Sequence, residues 1–424
     1  MSSSLGIPHL KTIQDELRFD LEKKIVANQV EIETWFRGQW LQHPALVTCS
    51  VDLRNAGFKL AAVDTNVFPA GFNNLNPEFE PLSIQALTFT LSRIYPKCTK
   101  VLIIPESHTR NPFYFESLMV LASYIHRAGF QVKIGTLRDI EKPESFTIKD
   151  KTLTQWPLRK EGNTLKAGDF RPCLVLLNHD LSEGIPTLLQ NIEQPIVPSP
   201  QLGWHFRSKT KHFHLYENKA KALAKILGVD PWHIAPFFTD CGNIDFMSKE
   251  HENDLIDKTS ELFDKIRAKY KEYGISEAPF VVIKSDVGTY GMNVMMIQDP
   301  NEIKTLNRKQ RTRMQTGKGG VEVKRVLLQE GIYTLETIGP QHAVAEPVIY
   351  MIGEYVIGGF YRVHTGKGMQ DNLNAPGMHF EPLAFEACCN TPDERLSSHD
   401  AKNQFYAYSV IARLAHLAAA LETE

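Results

Sequence analysis

"VDTNVFPAGFNNL", residues 63–75, decides how the chain is read. The run before it, Phe58–Val63, is largely apolar and reads as a strand. Asp64 and Asn66 follow at i, i+2, so in an extended chain their side chains share a face. Pro69, Gly71 and two asparagines then demand a turn. Asx residues favour such places by bonding nearby backbone. The residues alone therefore leave two readings open: a turn-capping pair, or two hard oxygen donors aimed at one spot.

The 424 residues are enough for two or three domains with a sizeable core, and 42% of them are apolar. Lys and Arg (47) nearly balance Asp and Glu (49), which argues against a nucleic-acid or anionic-membrane partner. Six cysteines, Cys49, Cys98, Cys173, Cys241, Cys388 and Cys389, show no metal-type spacing, so a chain with reduced thiols is expected. The N-terminus reaches charged residues too soon for a signal peptide, and no apolar run approaches the ~20 residues of a membrane span. The expectation is a cytoplasmic protein acting on small molecules, with a homodimer compatible.

Periodicity predicts a helix over 12–41 and two strands, Leu46–Val51 and Phe58–Val63, joined at Asn55-Ala56-Gly57. Residues 99–135 read strand, helix, strand, the signature of a parallel α/β unit. The stretch 141–170 reads as polar and irregular, and "RPCLVLLNHD" as a further strand. Helices are expected over 207–227, 249–273 and 401–421, with a strand-rich region beginning at Pro279. Three parts follow: residues 1–96, a small α/β domain over 97–203, and residues 204–424.

In "FVVIKSDVGTYGMNVMMI" a strand delivers Lys284, a loop carries Gly288 and Gly291, and a second strand returns. Glycines let backbone N–H groups approach a polyphosphate, and the lysine adds a point charge. A plain hairpin with a surface lysine has the same pattern. Neither this loop nor "GKGG" at 317–320 is a Walker-type P-loop. Downstream, Gln329-Glu330 end a strand and can present edge groups to an adenine. A hairpin then ends in Arg362, and "TGKGMQDNLNAPG", with Asn372, is a second flexible loop.

That order of parts resembles an ATP-grasp ligase, except that no strand carrying Mg²⁺ ligands follows the second loop. "AAVDTNVFPAGFNNL" resembles that missing strand as found in eukaryotic-type glutathione synthetases, a circularly permuted branch. The resemblance implies an α/β (α+β), ATP-grasp-like fold, permuted, with an inserted parallel α/β domain, using ATP and Mg²⁺. It puts Asp64 and Asn66 at metal positions, Asp replacing a more usual Glu, with Asp286 as third ligand. It further implies a substrate segment in "CSVDLRNAG" (Ser50, Asp52, Arg54), a substrate contact at Asn111, and an ATP lysine at Lys211.

"SVDLRNAGFKLAAVDTNVFPAGFNNLNPEF" and "IKSDVGTYGMNVMM" resemble, more narrowly, the proteobacterial glutamate–cysteine ligases. That implies phosphorylation of the glutamate γ-carboxylate and attack by the cysteine amine. Lys211, Lys284 and Arg362 would hold phosphates, Arg54 would grip a substrate carboxylate with its fork, and Asp52 would take an α-ammonium. Alternatives are glutathione synthetase, another amino-acid ligase, or a nucleotide-binding regulator without turnover. Plain structural roles also stand: Asn111 before Pro112 makes a helix cap, Arg54 a hairpin arginine, and Cys49 a buried apolar residue.

Overall fold

A computed structural model describes residues 21–107, 111–288, 294–315, 325–383, 392–397 and 401–424. Gly291, Lys318, Cys388, Cys389 and the first part of the expected 12–41 helix lie outside them.

Within the described residues the long N-terminal helix is two, α1 (Leu21–Ala27) and α2 (Gln29–Gln42), divided at Asn28. The hairpin follows as β1 (Thr48–Asn55) and β2 (Leu60–Asn66). Gly57, at φ 75°, makes the turn, and its N–H donates to Asn55 Oδ1. Helix α3 (Glu80–Ile94) then leads to β3 (Lys100–Pro105), α4 (Pro112–Arg127) and β4 (Gln131–Thr136).

The stretch 141–170 is not irregular. It forms β5 (Glu144–Ile148), β6 (Lys151–Glu161) and β7 (Thr164–Ala167). These strands have one wet face, so inward Leu153, Gln155 and Leu158 alternate with polar residues and their apolar content is low. Strands β8 (Leu174–Asn178) and β9 (Ile196–Val197) complete a seven-stranded sheet drawn from Lys100–Val197 alone. Its order is β5-β6-β4-β3-β8-β9, with β4, β3, β8 and β9 parallel, β4–β6 parallel, and β7 paired to β6. Contrary to the expectation of reduced thiols, Cys98 and Cys173 form a disulfide beside the starts of β3 and β8.

Helix α5 (Lys209–Leu227) is capped by Ser208 and ended by Gly228 at φ 62°. Strand β10 (Phe238–Asn243), α6 (Lys249–Glu272), β11 (Val281–Ser285), β12 (Val294–Ile297), α7 (Arg308–Gln315) and β13 (Arg325–Glu330) come next. The four strands form an antiparallel sheet ordered β10-β13-β11-β12, backed by α6. Strands β14 (Thr337–Ile338), β15 (Ala343–Ile352), β16 (Tyr355–His364) and β17 (His379–Pro382) return to the first hairpin. The resulting antiparallel sheet runs β17-β16-β15-β1-β2, with β14 on β15, and β2 lies at its edge.

Helix α8 (Ala401–Leu421) is buried along its whole length from Asn403 to Ala420. It is mostly Ala, Leu and aromatic, and its buried Arg413 is paired with Glu33. Its Tyr408, Ile411, Leu414 and Ala415 join Cys49, Val51, Leu53 and Ala62 from the back of the β1–β2 hairpin. The front of that sheet is thereby left to other uses. No helix among the described residues is long and apolar enough to cross a membrane.

Candidate active site

Alternation along paired strands builds one wall of a cavity of about 960 Å³. In register, Ser50 faces Asn66 and Asp52 faces Asp64 across β1–β2, Asp52 faces Val348 across β1–β15, and Glu346 faces Arg362 across β15–β16. All seven residues line the cavity, as does Arg54. The opposite wall is the four-stranded sheet, through Val282, Lys284, Val294, Met296 and Gln329. Gly288, Asn111, Glu330 and Asn372 also border the space. Residues scattered between 50 and 372 are thus brought together.

The two walls meet at a bulge. The register slips between Asp52 and Leu53, leaving Val63 without a cross-strand partner. Lys284 Nζ donates to the Val63 carbonyl at 2.9 Å and to Gln329 Oε1 at 2.5 Å. Burial pulls the Lys284 ammonium down to about 8, although Asp64 opposes the shift. Burial also lowers Lys209, which caps the Gly288 carbonyl at 2.6 Å. Burial alone would raise Asp64, but Lys209, Lys284 and Arg207 more than offset it and hold the carboxylate low. Asp52 goes the other way: burial raises it, Glu346 and Asp64 add to this, and Arg362 at 2.9 Å opposes.

Several side chains do something other than expected. Lys211 is not at the cavity: its Nζ donates to the main-chain carbonyl of Glu422. Lys209, two residues earlier and about 200° away around the helix, takes the cavity position instead. Asp286 also lies outside the cavity lining, completely buried. It accepts from Ser208 Oγ (2.8 Å) and the Thr210 N–H (2.7 Å) and pairs with Arg325, so it anchors the start of α5.

The Arg54 fork is taken up internally, by Glu346, the Ile332 and Gln370 carbonyls, and the Asp371 carbonyl at 2.5 Å. It ties down the loop before Asn372. The Glu330 carboxylate is held by Lys59 (2.6 Å), Trp232 Nε1 (3.0 Å) and the Phe237 N–H (2.9 Å). Asn111 caps α4 by accepting from the Phe113 N–H. Asn372 Oδ1 accepts from the Asn374 N–H.

Glu346, buried between Arg54 and Arg362, escaped sequence reasoning. The i, i+2, i+4 row Glu346, Val348, Tyr350 was its available signal. Tyr350 and Phe360 also belong to the wall, with ring centroids 5.4 Å apart.

The turn after β2 is equally determined. Asn66 Oδ1 accepts from the Phe68 N–H at 2.9 Å, an Asx turn. Asn178 Nδ2 donates to the Pro69 carbonyl, and Ser117 Oγ accepts from the Gly71 and Phe72 N–H groups. Gly71 has φ 114°, and a Cβ there would lie 2.9 Å from Tyr350 Oη.

Hard oxygen donors cluster where a divalent cation would suit them. The Asp64 carboxylate and the Asn66 amide oxygen, which keeps a second lone pair, share a face with crowded Asp52. Gln329 Nε2 is buried without a partner and leaves a donor for a ligand. A second group, Glu106, His179 and Asp180, has ligand atoms within 4.8 Å of one another. There the Asp180 N–H donates to Glu106 Oε1 and the Leu181 N–H to His179 Nδ1, tying the trio into the loop after β8.

The site is thus a cleft between two sheets, with Lys284 on one wall beside the carboxylates of the other. The chain belongs to the glutamate–cysteine ligase family (GshA), whose model matches residues 22–423. It is similar to a solved protein assigned as a gamma-glutamylcysteine synthetase from Methylobacillus flagellatus KT, at 47% identity. That match covers 98% of each chain with a TM-score of 0.91.

Remoter matches are D-alanyl-alanine synthetase A from Vibrio cholerae (13% identity, 75% and 81% of the two chains, TM-score 0.35) and a glutathione synthetase-like effector from Globodera pallida (9%, 81% and 81%, 0.38). Neither is close enough to define the fold. No curated protein matches. The protein is thus an ATP-dependent ligase forming γ-glutamylcysteine from glutamate and cysteine, which displaces the glutathione-synthetase and non-catalytic readings.

Proposed function

We propose that ATP lies between the two antiparallel sheets of a permuted ATP-grasp body, with the Lys100–Val197 sheet as its inserted unit. Lys209, Lys284 and Arg362 hold the phosphates, with Lys209 replacing Lys211 in that role. The γ-carboxylate of glutamate takes the terminal phosphoryl group and ADP leaves. The α-amine of cysteine then attacks the acyl phosphate and inorganic phosphate departs. The chain's contribution is placement and charge neutralisation in a water-poor cleft.

Mg²⁺, held by Asp64 and Asn66, would neutralise charge on the phosphates. Asp52 and Glu346 polarise Arg362 from either side and fix its orientation toward the cleft. Arg54 shapes the wall rather than gripping a substrate.

The supporting observation is the Lys284–Val63 contact, which brings the phosphate-type lysine of one sheet beside Asp64 on the other. Asp64→Asn should lower Mg²⁺-dependent ADP release at least ~100-fold while circular dichroism stays unchanged. Near-normal turnover in that variant would refute the metal assignment.

A further inference from the structure

Behind the Asp-x-Asn strand lies a buried charged cluster whose own side chains do not line the cavity. Thr65, the middle residue of Asp64-Thr65-Asn66, points away from the cleft and is 2% exposed. Because β2 is an edge strand, its outward carbonyls have no ladder partner. Arg207 NH1 donates to the Thr65 carbonyl at 2.5 Å. The Thr65 hydroxyl lies 3.0 Å from His212 Nε2.

Both partners are held in turn by one carboxylate. Glu422 accepts from Arg207 Nε at 2.7 Å and NH2 at 2.9 Å, a bidentate fork, and lies 2.7 Å from His212 Nδ1. Side-chain exposures are 1% for Arg207, 4% for His212 and 3% for Glu422. A proton on His212 Nδ1, facing Glu422, leaves Nε2 to accept the Thr65 hydroxyl, so the carboxylate fixes the tautomer. Burial would raise Glu422, yet Arg207 and His212 hold it at about 2. Lys211 closes the cluster on the Glu422 main-chain carbonyl.

A buried ion pair of this kind adds little net stability over an apolar replacement, because desolvation offsets the attraction. Its use is geometric. Two clamps, one on the backbone and one on the side chain, grip the residue between the two proposed metal ligands. They come from the start of α5 and the end of α8, and none of Arg207, His212 and Glu422 lines the cleft.

We infer that Glu422, acting through Arg207 and His212, is a positioning residue that sets the β2 backbone so that Asp64 and Asn66 present their oxygens together. The inference rests on the metal reading above and concerns the support behind it. Such supporting shells typically govern metal affinity by 10- to 100-fold.

The test compares the affinity of a non-hydrolysable ATP analogue, by calorimetry, with Mn²⁺ and with EDTA. Thr65→Val removes one hydroxyl and keeps a strand-forming side chain. It should cut the Mn²⁺-dependent gain in affinity about tenfold, leaving metal-free affinity and KM for glutamate within about twofold. Thr65→Ser should restore the gain. Glu422→Gln should show the same split more strongly; if its melting curve shows it unfolded, Thr65→Val decides alone.

Equal weakening with and without metal, or an unchanged Mn²⁺ gain in folded Thr65→Val, overturns the inference. Asp64→Asn serves as the reference. If it keeps the full Mn²⁺ gain, the metal reading itself fails. If it loses the gain while Thr65→Val does not, only the positioning role fails.

Discussion

Two lysines two positions apart, Lys209 and Lys211, have different fates because helical geometry sends them to different faces. Lys209→Ala should lower kcat/KM for ATP at least ~100-fold, as loss of a phosphate-holding cation does, whereas Lys211→Ala should change it less than ~3-fold. Steady-state ADP release measures both. Lys284 carries a pH signature. Its buried ammonium titrates near 8, below its ordinary 10.5. Burial favours the neutral form in the folded state, so the stability cost is full below pH 8 and is relieved as pH rises toward 10.5. Nucleotide affinity runs oppositely, since phosphates need the charge. It should fall above about pH 8, by up to ~tenfold per unit. Calorimetry between pH 7 and 9.5 reads this, and Lys284→Arg, which stays charged, should flatten the curve.

Strands and hairpins carry the next set of expectations. Lys59, beside the β1–β2 turn, is 1% exposed, pairs with Glu330 and lies 4.1 Å above the Trp232 ring. It fastens the first hairpin to the second sheet. Lys59→Met strands the Glu330 carboxylate and should cost about 3–5 kcal/mol in urea unfolding. Gly71→Ala meets both a positive φ and Tyr350 Oη and should cost about 1–3 kcal/mol; in the double variant with Tyr350→Phe the clash is partly relieved.

Much at this scale was legible in the sequence. The β1–β2 hairpin, α5, α6, α8 and the shared face of Asp64 and Asn66 all follow from periodicity and end signals. The strands over 144–167 did not, because a half-wet sheet hides its apolar stripe. The cavity's polar row was partly legible, since Arg362 and Lys284 end strands. What Arg54, Glu330 and Asp286 bind was not, because their partners lie on elements distant in sequence. Helix phase hid the exchange of Lys211 for Lys209.

Across the whole molecule, the parallel sheet and the β17-β16-β15-β1-β2 sheet share a core. Val101, Ile103 and Leu174 of the parallel sheet pack in one cluster with Leu118 and Leu121 of α4 and with Val348, Tyr350 and Phe360 of the cleft wall. We therefore propose that the stretch between 97 and 203 is not stable on its own. Leu118→Ala should cost about 2–5 kcal/mol and lower a single transition, seen alike by calorimetry and by loss of nucleotide binding. A fragment of residues 97–203 should remain unfolded or aggregate.

The burial of α8 has a bearing on synthesis. The β1–β2 hairpin leaves the ribosome early, yet Val51 and Leu53, fully buried in the finished protein, need α8 behind them. Strand β15, which completes the sheet beside β1, also comes late. Until both arrive, the hairpin presents two apolar edges and faces to the cell, the situation in which nascent chains recruit chaperones or aggregate. The same delay leaves the carboxylates of residues 52 and 64 without their cationic neighbours, Arg207, Lys209, Lys284 and Arg362, until segments made much later arrive.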